Sequence, residues 1–398
     1  MTSVRRKVLA LACATLLYEV ELACGGSSHQ SKLVSASNVQ SIAVNGGPSG
    51  NYANGLFTSV TVCVPGSSNC QNISGVLVDT GSFGLRLLSS ALGPVGPSLS
   101  QQTDAAGNSV FECAQFVDSV VWGPVKTADV KMGTEIANSI PIEVIDSNTT
   151  PIPSNCKAIG PAEEDVSSLG ANGILGIGFF LQDCGSACSV PGSSNPGFYY
   201  SCSGSSCQIA AESNSLQVQN PVGFFATDNN GVVLHLPAVT SGATVTGSLT
   251  FGIGTQNNNA INSQLIFRPD SFGNLKTTFK GQSYAGFLDS GSNGYFFVDS
   301  SSTGLPNCPS SQKGFYCPAS PVNLSATNIS GLSSNTVNFT VANAADLFAM
   351  NSGFAFPTLG GPDPATFDWG LPFFFGRKIY VAFEQRQTPA GGGPFWAY

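Results

Sequence analysis

The chain has 398 residues, a formal charge of −8 and only 10% charged residues, against about 25% in ordinary soluble domains. Hydrophobic residues at 42% and aromatics at 10% supply a large core, which excludes disorder as the main state. The acidic balance argues against nucleic-acid binding, which needs clustered Lys and Arg. Only two histidines occur, His29 in a polar stretch and His235 in the strand-like segment VVLHLP. His-rich metal sites are therefore excluded, and His235 reads as structural. Any catalysis rests on carboxylates, hydroxyls or cysteines.

In chain order, Arg5, Arg6 and Lys7 precede an eleven-residue apolar run, VLALACATLLY. This is signal-peptide anatomy, and the run is too short to span a bilayer. Ala23-Cys24 followed by GGSS resembles a bacterial lipoprotein cleavage site with Cys24 lipidated, although Glu19 and Glu21 depart from its apolar preference. Plain secretion is the alternative. Residues 1–23 are thus expected to be a signal peptide and 24–45 a polar tether.

The ten cysteines beyond Cys24 fall mostly in close pairs: Cys63 with Cys70, Cys184 with Cys188, Cys202 with Cys207, and Cys308 with Cys317. Cys113 and Cys156 pair by elimination, while pairing within 184–207 stays open. Repeated CxxC knuckles, which zinc would need, are missing. The expectation is disulfides in an oxidising compartment. Each short loop contributes only about 2–3 kcal/mol by chain entropy.

From Asn51 onward, short β-branched and aromatic runs alternate with Gly, Ser, Asn and Pro clusters. GVLVDT, IPIEVI, GVVLHL, SLTFGIG, YFFVDS and KIYVAFE are examples, and this spacing predicts an all-β protein. Short helices are expected near Leu85–Leu92 and Ala344–Met350. The length exceeds a single meander, so two β lobes are expected, 46–222 and 223–398, with the boundary near Gly223. The Phe run 373–375 reads as core.

One pattern occurs twice: Gly75-Val-Leu-Val-Asp79-Thr80-Gly81-Ser82 and Ala285-Gly-Phe-Leu-Asp289-Ser290-Gly291-Ser292. Each is an apolar strand ending in Asp, a hydroxyl residue, Gly and Ser. Two carboxylates around one water can hydrolyse an amide without metal, His or nucleophile. One takes the proton of water and the other, protonated, polarises the carbonyl. Held close, they cannot both ionise and so share a proton.

With these residues the sequence resembles the pepsin family of bilobal aspartic endopeptidases across nearly all of 50–398. NYANGLFTSVTV resembles that family's first strand. VLVDTGS and FLDSGS resemble its two active-site loops. Asn172-Gly-Ile-Leu-Gly-Ile-Gly178 resembles the loop that braces the first Asp. GSLTFGIG at 247–254 resembles the opening of the second lobe, and PFFFGRKIYVAFE at 372–384 the closing segment.

The resemblance implies a two-lobed fold with a cleft and a β-hairpin flap. It implies Asp79 and Asp289 as the catalytic pair and Thr80 and Ser290 as hydroxyls cross-linking the loops. Ser82 and Ser292 would hydrogen-bond the outer carboxylate oxygens, and Gly81 and Gly291 would offer carbonyls to substrate. No metal or organic cofactor is implied. The partner is an extended peptide or protein substrate, the enzyme a monomer, and any membrane contact comes through the lipid.

At the family's flap-tyrosine offset, 43 residues after Asp79, stand Trp122 and Gly123. The family's tryptophan seven residues after that Asp is here Arg86, expected to stack on Trp122 or to stand in solvent. Pro372 takes the ungapped place of a family glycine, which Gly370 matches only with a two-residue shift. The 27 residues from Cys24 to Asn51 leave no room for a family-type propeptide. Asn72 and Asn148 are glycosylation sequons that matter only in a eukaryote, and the N-terminus points to a bacterial cell envelope. The alternative functions are a weak or inactive binding or inhibitor protein of this fold, or a surface-anchored structural or storage protein.

Overall fold

The computed structural model of the protein describes residues 38–262, 264–350 and 353–398. The signal peptide, Cys24, His29 and the tether up to residue 37 lie outside the described residues. The architecture is all-β. The first strands are β1 (Val39–Asn45), β2 (Gly55–Cys63), β3 (Cys70–Asp79), β4 (Phe83–Leu88), β5 (Ser100–Gln101) and β6 (Ser109–Gln115). β7 (Val120–Met132), β8 (Glu135–Ile145), β9 (Gly173–Ile177), β10 (Tyr199–Ser203) and β11 (Ser206–Ile209) complete the N-terminal half.

The C-terminal half opens with β12 (Gly231–Leu236), β13 (Val245–Phe251), β14 (Ile266–Phe267), β15 (Leu275–Phe279) and β16 (Gln282–Leu288). β17 (Tyr295–Phe297), β18 (Val322–Ser330), β19 (Ser333–Val341), β20 (Gly360–Pro362), β21 (Thr366–Trp369) and β22 (Arg377–Ala382) follow. Gly223, the expected boundary, lies in a 3-10 turn, Pro221–Phe224, between the halves.

One arrangement is built twice. In the N-terminal half β3 is antiparallel to β2 and parallel to β9, and β9 is antiparallel to β4, which is parallel to β8. In the C-terminal half β16 is antiparallel to β15 and parallel to β21, and β21 is antiparallel to β17, which is parallel to β20. β3 ends at Asp79 and β16 one residue before Asp289, the aspartates of the repeated motif. Flanked on both edges and covered on both faces, such strands become continuous apolar runs, and Val76, Leu77 and Val78 have no exposed surface.

β1 corrects the expected tether. Its seven residues form a strand between β2 and β13, with Val39 opposite Thr250. The order β3-β2-β1-β13-β12-β22 thus carries hydrogen bonding from one half to the other. The expected first strand, from Asn51, starts at Gly55. Of the expected helix 85–92 only Ser89–Leu92 is helical, because Leu85–Leu88 belong to β4; Ala344–Phe348 is a helix as expected. Phe373, Phe374 and Phe375 are buried, while His235 lies on the exposed face of β12.

All five cysteine pairs are disulfides: Cys63–Cys70, Cys113–Cys156, Cys184–Cys188, Cys202–Cys207 and Cys308–Cys317. The cluster at 184–207 therefore pairs neighbour with neighbour. Cys113–Cys156 ties β6 to the short helix Ser154–Lys157 that follows β8.

Candidate functional site

The two aspartates leave their strands side by side. Thr80 Oγ1 donates to the Leu288 carbonyl at 2.9 Å and accepts from Ser290 N at 2.9 Å. Reciprocally, Ser290 Oγ donates to the Val78 carbonyl at 2.8 Å and accepts from Thr80 N at 3.1 Å. Each hydroxyl thus bridges to the backbone of the other half and satisfies polar groups that burial would otherwise strand.

Within each loop the carboxylate is held twice. Asp79 accepts from Gly81 N at 2.7 Å and Ser82 Oγ at 2.6 Å. Asp289 accepts from Gly291 N at 2.8 Å and Ser292 Oγ at 2.9 Å. The glycines are needed for closeness. A β-carbon built on Gly81 would stand 2.6 Å from Asp289 Cγ, and one on Gly291 would stand 2.7 Å from Asp79 Cγ. Only hydrogen fits under the opposing carboxyl.

Both aspartates are 0% exposed. Burial raises the Asp289 carboxyl well above the usual carboxylate range, and the charge of Asp79 and a hydrogen bond with it push the same way. Ser292 and Gly291 N–H oppose the shift without cancelling it. Two carboxyls in hydrogen-bonding contact, one held protonated, can donate and accept a proton at once.

Asn54 ties the halves together next to this pair. Its Nδ2 donates to the carbonyls of Asn293 (2.8 Å) and Phe356 (2.9 Å), and its Oδ1 accepts from Phe356 N at 2.6 Å.

A groove of about 420 Å³ opens beside the pair, its wall including Gly81, Ser82, Phe83, Phe116, Phe180 and Phe272. Phe116 comes from the turn between β6 and β7. Phe272, at 69% exposed, is offered from the C-terminal half.

The flap assignment of Trp122 and Gly123 is corrected. Trp122 is 1% exposed within β7, stacked on Phe111, edge-on to Tyr200, and its Nε1 donates to the Thr150 carbonyl at 2.9 Å. Gly123 also lies mid-strand, where a β-carbon would meet the Val144 carbonyl oxygen at 1.8 Å. The hairpin tip falls earlier, at 116–119.

Arg86 is corrected too, for it neither stacks on Trp122 nor faces solvent. It is buried and ion-paired with Glu112, with Asp183 at 3.0 Å and with Glu143 at 3.2 Å. Burial disfavours its charge, but the three carboxylates more than offset this and hold it firmly protonated. Burial in turn raises Glu112 to about 7 and Glu143 to about 8, with Arg86 opposing. Asp183, which accepts from the Tyr199 hydroxyl at 2.6 Å, is also raised by burial. Arg86 and Asp183 line the groove.

Sequence reasoning missed Glu112, Glu143, Asp183 and the buried Asp368 of β21. An arginine inside the apolar run of β4 was the one signal that acids must converge on it.

Fold and site together define an all-β protein with a buried, cross-linked pair of loop-borne aspartates. The chain belongs to the family described as "Protein of unknown function (DUF3443)", which matches residues 34–398. A search of curated proteins finds no match.

Proposed function

We propose that the protein is a pepsin-like, two-lobed aspartic endopeptidase, with Asp79 and Asp289 as its catalytic pair and the groove between the lobes as its peptide-binding cleft. The observation that carries this reading is the reciprocal hydroxyl cross-link of Thr80 and Ser290, with Gly81 and Gly291 each beneath the opposite carboxyl. Such symmetry costs two buried carboxyls in contact, and water activation between them gives that cost a purpose.

In the proposed reaction Asp289 carries the shared proton, in keeping with its burial beside the charge of Asp79. The unprotonated partner removes a proton from water as the oxygen attacks the peptide carbonyl. Asp289 hydrogen-bonds the carbonyl oxygen, and the proton ends on the leaving nitrogen. The aromatic wall of Phe83, Phe116, Phe180 and Phe272 suits extended peptides with apolar side chains near the scissile bond. Phe116, at the hairpin tip, takes the place first given to Trp122.

The basic-then-apolar N-terminus and the five disulfides support export to an oxidising bacterial envelope, with Cys24 as the lipid site and the chain acting as a monomer. A second reading, a non-catalytic binding protein of the same fold, draws on the complete burial of both aspartates. Incubation with heat-denatured casein across acidic to neutral pH, with and without a statine-type transition-state analogue, separates the two. Cleavage abolished by the analogue supports the peptidase; analogue binding without cleavage supports the second reading.

A further inference from the structure

Asp368 lies in β21, in register with Phe287 of β16 and Phe296 of β17. It has no exposed surface, and among the described residues neither of its carboxyl oxygens has a hydrogen-bond partner. The next residue, Trp369, accepts the backbone N–H of Asp289 at 3.1 Å. Ile174 occupies the corresponding place in the N-terminal half, in register with Leu77 one strand from Asp79. The duplicated frame therefore tolerates an apolar residue here, yet holds a carboxyl.

We propose that Asp368 is the third carboxyl of the centre, a positioning residue that widens the pH range over which the Asp79–Asp289 pair keeps its single proton. The inference rests on reading that pair as a peptidase centre.

The groups acting on Asp368 are Asp289, at the end of β16; Asp363, in the turn before β21; and Asp79, at the end of β3. All are acids. Asp363 is occupied by its own turn, accepting from Ala365 N, Thr366 N and Thr366 Oγ1. Phe287 and Phe296 supply apolar neighbours. Burial first, then the charge of Asp289, raises the Asp368 carboxyl well above the usual range, and only the Ser292 hydroxyl opposes this appreciably.

The single proton of the Ser292 hydroxyl goes to Asp289, which leaves the Asp368 oxygens unpaired. The wider pH range requires Asp368 to ionise before the pair loses its last proton; its negative charge then makes that loss harder. The expected consequence is a pair that stays singly protonated to higher pH than two carboxyls alone.

The test compares the full chain with Asp368→Asn, nearly isosteric, and Asp368→Ile, which copies the residue at the equivalent position. Casein cleavage by both variants should fail at lower pH than in the wild type, the alkaline half-maximum moving by about one unit. A second readout does not depend on turnover. The infrared carboxyl signal of Asp289, isolated by subtracting the spectrum of Asp289→Asn in each background, should titrate at lower pH when Asp368 is replaced. An Asp289 signal that stays in place, or moves to higher pH, in a folded variant overturns the proposal. Failure of every preparation to cleave casein would instead defeat the peptidase reading, and the infrared titration would still decide the coupling. If Asp368→Ile does not fold, Asp368→Asn carries the test.

Discussion

Thr80 and Ser290 each do with one hydroxyl what would otherwise need two partners. Removing either leaves a buried N–H and a buried carbonyl of the opposite half unsatisfied, Ser290 N and the Leu288 carbonyl for Thr80 and Thr80 N and the Val78 carbonyl for Ser290, at about 1–3 kcal/mol for each stranded group. Thr80→Val should therefore lower stability and turnover together, while Thr80→Ser should restore most of both. Chemical unfolding beside casein kinetics measures this, and a Thr80→Val protein with wild-type stability would remove the cross-link from the account. Trp122 makes the opposite case: a residue whose loss acts on the fold alone. Trp122→Ala should cost about 3–5 kcal/mol, as for other buried tryptophans, and lower the thermal midpoint. Activity per folded molecule should change little, because the side chain packs on Phe111 and Tyr200, away from the groove.

At the scale of elements, β4, β6 and β8 meet at one cation. Arg86, Glu112 and Glu143 join three strands, and the loop after β9 adds Asp183. One positive and three potentially negative groups cannot all be charged in a buried site without large destabilisation. Glu112 and Glu143 bind protons more tightly folded than unfolded, with folded values of about 7 and about 8 against 4.5 for the free side chain. The sign follows: their contribution to stability is fully present below about pH 4.5 and is lost as pH rises through 7 to 8. Asp289 and Asp368 act in the same direction. Thermal midpoints should fall steadily from pH 5 to pH 8. Arg86→Leu should steepen that fall, being tolerated near pH 4, where the acids are protonated, and costing about 3–5 kcal/mol near pH 8. A midpoint that rises with pH over this range would contradict the picture.

At the scale of the whole molecule, the duplicated topology follows from the sequence because each aspartate terminates an apolar run that only a strand covered on both faces can bury. Cys63–Cys70 and Cys308–Cys317 were legible from close spacing, whereas Cys113–Cys156 followed by elimination and the pairing within 184–207 stayed open until the structure showed neighbour bonded to neighbour. β1 was not legible. Its sequence VQSIAVN offers only one short alternation, Ile42 and Val44, and its strand identity comes from pairing with β13, some two hundred residues away. Trp122 was misplaced because counting from Asp79 assumes a fixed hairpin length, whereas here the tip at 116–119 precedes it. Arg86 and Asp368 were hidden because a polar residue in a strand ordinarily faces water, and their burial depends on groups contributed by distant segments.

The central claim is that Asp79 and Asp289 act as one proton-sharing pair. The most direct measurement is casein cleavage by Asp79→Asn and Asp289→Asn, each shown to be folded by its thermal midpoint, across acidic to neutral pH. Each variant should lose at least about 10²–10⁴-fold in activity, the scale of general acid–base catalysis. Retained activity in either folded variant would contradict the account.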